Sequence, residues 1–183
     1  TGLTITPVLH LRLRDTIRRA RRYRQHSGLL LVDLSNHADI ALRAGRETAD
    51  RALVVAAARL TRVVREVDTV CRIADRRFAV LIEGPIESAQ IKLLAQHLVA
   101  KGLEQASTLP EDLSLRFRLV SILLPAEQSE GAEEDERAEV RRTLERLNEA
   151  LDQLADDPRK VVVHLPQLNA PALATSATPP AAV

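Results

Sequence analysis

The chain contains very few aromatic side chains: two Phe, one Tyr and no Trp among its 183 residues, and it has no Met. Because 45% of the residues are hydrophobic, the length and composition still suit a single domain with an aliphatic core. Proteins that bind single-stranded nucleic acid stack its bases on aromatic side chains. The composition therefore argues against a nucleic-acid polymer as the partner.

Cysteine and long apolar runs are also scarce. Cys71 is the only cysteine, so no internal disulfide can form, and we interpret it as a small buried hydrophobe in preference to a reactive thiol. No apolar run approaches the about 20 residues that span a membrane, so we expect no membrane contact by this segment and a cytoplasmic location. Because the chain begins at Thr1, we expect a longer parent polypeptide, which can itself be membrane-attached and whose neighbouring domains are expected partners.

The charges nearly cancel, with a net charge of +1, but they are segregated along the chain. Arginines crowd the first predicted helix, and acidic residues crowd a later segment. They are Arg12, Arg14, Arg18, Arg19, Arg21, Arg22 and Arg24, followed by Glu127, Glu130, Glu133, Glu134, Asp135, Glu136 and Glu139. We interpret both groups as solvated helical faces and favour this over a nucleic-acid patch. Such faces would also suit a charged interface.

Hydrophobic periodicity predicts helices alternating with strands. The predicted helices are 11–24 (starting near Pro7), 35–44, 47–64, 86–100 and 138–154, and the predicted strands are 29–32, 70–73, 78–82, 113–124 and 161–165. This order indicates an α/β domain with a mixed sheet. We place the domain at residues 1–166 and predict a loop at 129–131. The Pro/Ala-rich residues 167–183 are predicted to be a disordered tail or linker.

The central feature of the sequence is a predicted β-hairpin at residues 69–82, TVCRIADRRFAVLI. Two apolar runs flank the polar residues Ala74-Asp75-Arg76-Arg77, which is typical of a hairpin turn. A hairpin tip is exposed and held by its strands, so it can present functional groups. Asp33 follows the apolar run 29–32 and is expected at the C-terminal end of a strand, where sheet folds often place site residues.

From Leu30 to Ile82 the sequence resembles the catalytic half of the diguanylate cyclase, or GGDEF, domain. The matching segments share the family's order and spacing from Asp33 to Phe78. They are Asp33-Leu34-Ser35, Gly45-Arg46, 49–53, Arg65-Glu66-Val67-Asp68 and 72–78, with Thr1-Gly2-Leu3 and Val120-Ser121-Ile122 as further likenesses. The resemblance implies a mixed, mainly antiparallel five-stranded sheet flanked by helices, the ferredoxin-like palm of nucleotide cyclases.

The resemblance also implies a metal site that this sequence does not complete. In the family, hairpin glycines approach the nucleotide phosphates, and the third signature residue is an acid that helps to hold metal ions. Here Arg76 puts a cation where that carboxylate should meet Mg²⁺, on which phosphoryl transfer depends. Asp33 alone is a poor Mg²⁺ site. We therefore expect no cyclase activity, no catalytic residues and no bound metal or cofactor.

The remaining matches form a vestigial active site: Asp33, Asp50, Ala74, Asp75, Arg76, Arg77 and Phe78. Asp50 matches a family residue that reads guanine, whereas its partner Asn is replaced by Ala41. The alternative, which we favour, is that Asp33 and Asp50 persist only as a strand-end residue and a helix-surface residue.

One family element is intact, the Arg65-x-x-Asp68 motif of the inhibitory site that binds cyclic di-GMP. Arginine suits this ligand because its planar fork makes paired hydrogen bonds to phosphate and to guanine. The alternative is that Asp68 caps or pairs locally and Arg65 is solvated.

Three functions remain open at this point. The first is an inactive GGDEF domain that acts as a regulatory or receptor module for cyclic di-GMP. The second is a scaffold for protein interaction or homodimerisation that binds no nucleotide. The least favoured is an active diguanylate cyclase.

Overall fold

The computed structural model of the chain describes residues 6–125 and 133–167, with the side chains of 133–135 left out. The helices are α1 (Thr6–Tyr23), α2 (His37–Ala44), α3 (Arg46–Val63), α4 (Ser88–Leu103) and α5 (Glu133–Ala155), and the strands are β1 (Ser27–Leu34), β2 (Thr69–Arg72), β3 (Arg77–Ile82), β4 (Phe117–Leu124) and β5 (Val162–Leu165). The predictions for Thr1-Gly2-Leu3, for the loop at 129–131 and for the tail beyond 167 lie outside the described residues.

The strands form one five-stranded sheet in the order β2-β3-β1-β4-β5. β1 pairs antiparallel with β3 and β4, β2 pairs antiparallel with β3, and β4 pairs parallel with β5. The predicted mixed, mainly antiparallel sheet is therefore confirmed. The hairpin of β2 and β3 forms one edge, and its turn lies at the level of the C-terminal end of β1.

Helices cover both faces of the sheet, which explains why β1 is a continuous apolar run. Alternate residues of β1 enter two cores: Leu30 and Val32 pack with α3 and α4, whereas Leu29 and Leu31 pack with α1 and α5. Cys71 is buried in the second core, as predicted, and burial raises the pKa of its thiol. Because β-strand side chains alternate, Asp33 continues the row of Leu29 and Leu31 toward α1 and α5.

β4 begins four residues later than the apolar pattern predicts, at Phe117 instead of Leu113. The backbone before it makes other hydrogen bonds: the Leu113 N–H donates to Pro110 O, and the Leu115 N–H donates to Gly102 O at the end of α4. Asn36 holds the segment as well, since its side-chain amide donates to Ser114 O and accepts from Arg116 N. These bonds replace the ladder to β1.

The segregated charges of α1 and α5 face each other. The Arg18 Nε lies 2.6 Å from a Glu136 carboxylate oxygen, and the Arg21 Nη2 lies 2.5 Å from Glu139 Oε2. The Glu139 side chain is only 1% exposed. Our interpretation of two solvated faces was wrong for these residues, because both helices pack side by side on the same face of the sheet.

No helix within the described ranges combines the length and the apolarity that a membrane crossing requires.

Candidate functional site

The hairpin turn between β2 and β3 is closed by its own backbone. The Ile73 N–H donates to Arg77 O over 2.9 Å, and the Arg77 N–H donates to Ala74 O over 3.4 Å. Arg72 holds the tip, because its guanidinium donates to the carbonyl oxygens of Ala74 and Asp75. Side chains therefore stand where the family has glycines, and those of Ala74, Asp75 and Arg76 are exposed.

Strand register brings Arg77 against Asp33. The two residues are directly opposite in the β1–β3 pair. Arg77 donates two parallel hydrogen bonds, from Nε to Asp33 Oδ1 over 2.7 Å and from Nη2 to Asp33 Oδ2 over 2.9 Å. This paired geometry is the strongest form of an arginine–carboxylate contact.

Helix α5 completes the site from the other side. The Arg77 Nη1 donates to Asn148 Oδ1, and its Nη2 donates to Asp152 Oδ1, each over 2.7 Å. The hydrogen bonds that Arg77 donates to Asp33 outweigh burial and raise the pKa of the Arg77 guanidinium above its usual range. A permanent cation thus joins β1, β3 and α5 at one point, and its side chain is only 15% exposed.

The cation beside Asp33 is Arg77, the neighbour of Arg76, which the resemblance puts at the metal-binding position. Arg76 lies exposed in the turn, whereas Arg77 is the first residue of β3 and the register places it opposite Asp33. Both oxygens of Asp33 are occupied by its guanidinium. The residues present therefore do not fit a divalent cation, and no group of three or more His, Cys, Asp or Glu within the described ranges could hold a metal ion.

The other vestigial residues are not gathered into this site. Phe78 is fully buried in the core with α3 and α4. Asp50 lies exposed on α3, and no hydrogen bond among the described residues connects it to Arg77. Sequence reasoning missed Asn148 and Asp152; their four-residue spacing on a predicted helix placed them on one face, but nothing local indicated that this face meets the hairpin.

The second candidate site lies at the turn between α3 and β2. The Arg65 guanidinium donates to Asp68 from Nε over 3.2 Å and from Nη2 over 3.3 Å, and the Arg65 N–H donates to the same carboxylate over 3.0 Å. The Glu83 N–H, at the end of β3, donates to Asp68 Oδ1 over 3.1 Å. Asp68 is therefore a saturated acceptor whose side chain is 2% exposed, whereas the Arg65 side chain is 54% exposed.

Arg65 borders an open cavity of about 190 Å³. Its guanidinium rests against Gly84, where an added Cβ would lie 3.0 Å from Nη2. The rest of the cavity wall is mainly apolar, with Ile86, Gln90 and Leu94 supplied by α4 and the segment before it. The structure thus brings Arg65 and Asp68 together as the motif implies, and both line the cavity, but the side chain of Arg65 is half exposed whereas that of Asp68 is almost fully buried.

Comparison with known proteins identifies the family. The model described as diguanylate cyclase, GGDEF domain, matches residues 1–160. The chain belongs to the GGDEF domain family. A comparison of this GGDEF domain with curated proteins found no match.

Solved GGDEF domains share its fold. The GGDEF domain of TpbB, or YfiN, from Pseudomonas aeruginosa is 25% identical with a TM-score of 0.74, covering 92% of this chain and 93% of that one. The active GGEEF domain of a diguanylate cyclase from Vibrio cholerae is 16% identical with a TM-score of 0.69, covering 88% and 96%. The GGDEF domain of DgcB from Caulobacter crescentus, solved in complex with c-di-GMP, is 14% identical with a TM-score of 0.71, covering 90% and 92%.

Proposed function

We propose that this is a catalytically inactive GGDEF domain that serves as a regulatory module in cyclic di-GMP signalling. The observation that carries the proposal is the paired contact between Arg77 and Asp33. A carboxylate that must hold Mg²⁺ needs free oxygens and neighbouring acids. Here an arginine whose charge is permanent takes both oxygens, and the neighbouring signature residue, Arg76, is a second cation.

The absence of turnover is tested by incubating the purified domain with GTP and Mg²⁺, and separately with Mn²⁺. We expect no cyclic di-GMP above background, because the described residues include no acidic cluster to hold the metal ions that neutralise charge on the triphosphate. The active GGEEF domain from Vibrio cholerae serves as the positive control under the same conditions. Product formation at a rate proportional to domain concentration would contradict the proposal and restore the cyclase hypothesis.

The finer part of the proposal is that cyclic di-GMP binds at Arg65. The half-exposed guanidinium borders an open cavity, and a phosphate or guanine edge can pair with its free nitrogens. The DgcB domain solved with c-di-GMP supports this choice of ligand by analogy. The saturated, buried carboxylate of Asp68 gives that residue a positioning role: it orients Arg65, and Arg65 contacts the ligand.

Calorimetric titration with cyclic di-GMP tests this part. We expect a dissociation constant in the micromolar range, about −8 kcal/mol, and its loss in Arg65→Ala. The matched control is Arg46→Ala, an exposed arginine at the opposite end of α3, which should bind as the wild type does. A flat wild-type trace would reject the receptor function and favour the scaffold or homodimer alternative, whether or not turnover is absent.

A further inference from the structure

Most of the α1 arginines that contact other elements form ion pairs with acidic residues. These pairs are Arg12 and Arg19 with Glu83, Arg18 with Glu136, and Arg21 with Glu139. Arg14 differs from them. Its nearest carboxylate, Asp15, is 3.9 Å away, and its buried Nε makes no hydrogen bond within residues 6–125 and 133–167. A buried donor without a partner is costly, so Arg14 lacks an acceptor that its neighbours have.

Arg14 lines a groove of about 380 Å³ between α1 and α5. The groove combines cationic and apolar side chains, and no acidic residue is among the described side chains that line it. The lining residues are His10, Leu11, Arg14, Arg137, Val140 and Arg141. The groove is contiguous with a cavity at the hairpin tip, because His10 and Arg141 line both.

The cations of the groove are poorly neutralised. Arg137 makes no hydrogen bond or ion pair in the described part of the chain, and the closest carboxylate to Arg141 is Glu145 at 3.9 Å. Arg137 and Arg141 are exposed, so water screens much of their mutual repulsion, whereas Arg14 has only 25% of its side chain exposed and feels their like charges more strongly. A bound anion would remove this repulsion and supply the acceptor that the Arg14 Nε lacks.

We propose that this groove binds a small organic phosphate, a phosphomonoester with an apolar or planar body. Arginine forks match phosphate oxygens with paired, charge-assisted hydrogen bonds. Leu11 is half exposed at the groove and gives the apolar body a surface to cover. The site belongs to the layer of α1 and α5, whereas Arg65 ends the opposite layer, so this proposal and the cyclic di-GMP proposal stand or fall separately.

The probe is phenyl phosphate, titrated into the ¹⁵N-labelled domain and followed by NMR. Its two halves, inorganic phosphate and phenol, are titrated separately. We expect shifts at Leu11 and at the Nε–H groups of Arg14 and Arg141, with phenyl phosphate binding at least roughly tenfold more tightly than inorganic phosphate because the ring is also buried. Shifts confined to other surfaces, or none, would overturn the proposal. Equal affinity for the two phosphates would overturn the choice of an organic ligand.

Variants assign the effect to the groove. Arg14→Gln and Arg141→Gln should each weaken phenyl phosphate binding by roughly tenfold, as expected for the loss of a charge-assisted bond. Arg43→Gln removes an equal charge from exposed α2 and should leave the affinity unchanged. Arg141 is exposed, so its variant tests the site even if Arg14→Gln fails to fold. An equal loss of affinity in all three variants, relative to the wild type, would show that binding depends on net charge only.

Discussion

At the scale of single residues, Arg77 changes what Asp33 does. The resemblance to cyclases would assign this aspartate to a metal ion, whereas here it is one half of a buried ion pair. Taking two charges out of water is expensive, and their attraction compensates only when the geometry is good and other hydrogen bonds are satisfied. Asn148 and Asp152 help to meet that condition by accepting from two further guanidinium hydrogens. Asp33 therefore has a structural role that requires no metal ion.

A double-mutant cycle tests whether this pair stabilises the fold. Arg77→Met should lower the free energy of unfolding by about 3 kcal/mol, because it leaves the Asp33 carboxylate buried without a countercharge. Asp33→Asn should also destabilise, but the double variant should lose less than the sum, with a coupling energy of about 2 kcal/mol. The measurement is urea unfolding followed by circular dichroism.

Asp152→Asn is the control for this cycle. Its side chain is 68% exposed, so its pair with Arg77 should be worth less than about 1 kcal/mol. If the losses of unfolding free energy in Arg77→Met and Asp33→Asn simply add in the double variant, the two residues do not stabilise each other and the pair is incidental.

At the scale of helices and strands, the hydrophobic pattern was sufficient to predict the order of elements. Apolar residues every three to four positions on α1, α3 and α5, and the continuous run in β1, report directly on which faces are buried. The pattern failed where apolar residues are buried without pairing in the sheet. Leu115 is fully buried, but its backbone bonds α4 instead of β1, and periodicity cannot distinguish these cases.

The sequence could not predict contacts between elements that are distant along the chain. Arg77 is far from Asp152 along the chain, and Arg18 is far from Glu136. Each pair meets only because α5 packs on the sheet. Local spacing identified Arg65 and Asp68 as neighbours on one turn, but the saturation of Asp68 depends on the Glu83 N–H from another strand. The candidate site could thus be located from the sequence, whereas the partners that set its chemistry could not.

At the scale of the whole molecule, Glu83 ties α1 to the base of the hairpin. Its carboxylate accepts from Thr69 Oγ1 over 2.7 Å and from Arg12 and Arg19 over 2.9 Å each. Burial by itself raises the pKa of Glu83, but the hydrogen bonds from Thr69, Arg12 and Arg19 prevail and lower it below its ordinary value. Folding is therefore linked to the ionisation of this carboxyl group.

The sign of the linkage follows from the lowered pKa. The stabilisation by Glu83 is fully present above the unfolded pKa of about 4.3 and is lost as the pH falls through the lower folded value. Glu83→Gln should destabilise the domain at pH 7 by about 1–2 kcal/mol, since exposed Arg12 and Arg19 are partly screened. The difference between variant and wild type should shrink as the pH is lowered toward about 3, because a protonated carboxyl resembles the amide.

Thermal and urea unfolding of both proteins across this pH range measures the difference directly. Glu66→Gln, at an exposed carboxylate on the turn before β2, controls for the change in net charge and should show little effect at any pH. If the difference in unfolding free energy between Glu83→Gln and the wild type stays constant from pH 7 to pH 3, the ionised form of Glu83 is not what holds α1 to the hairpin. If the difference disappears as the pH falls, the charge of Glu83 is what holds α1 to the hairpin.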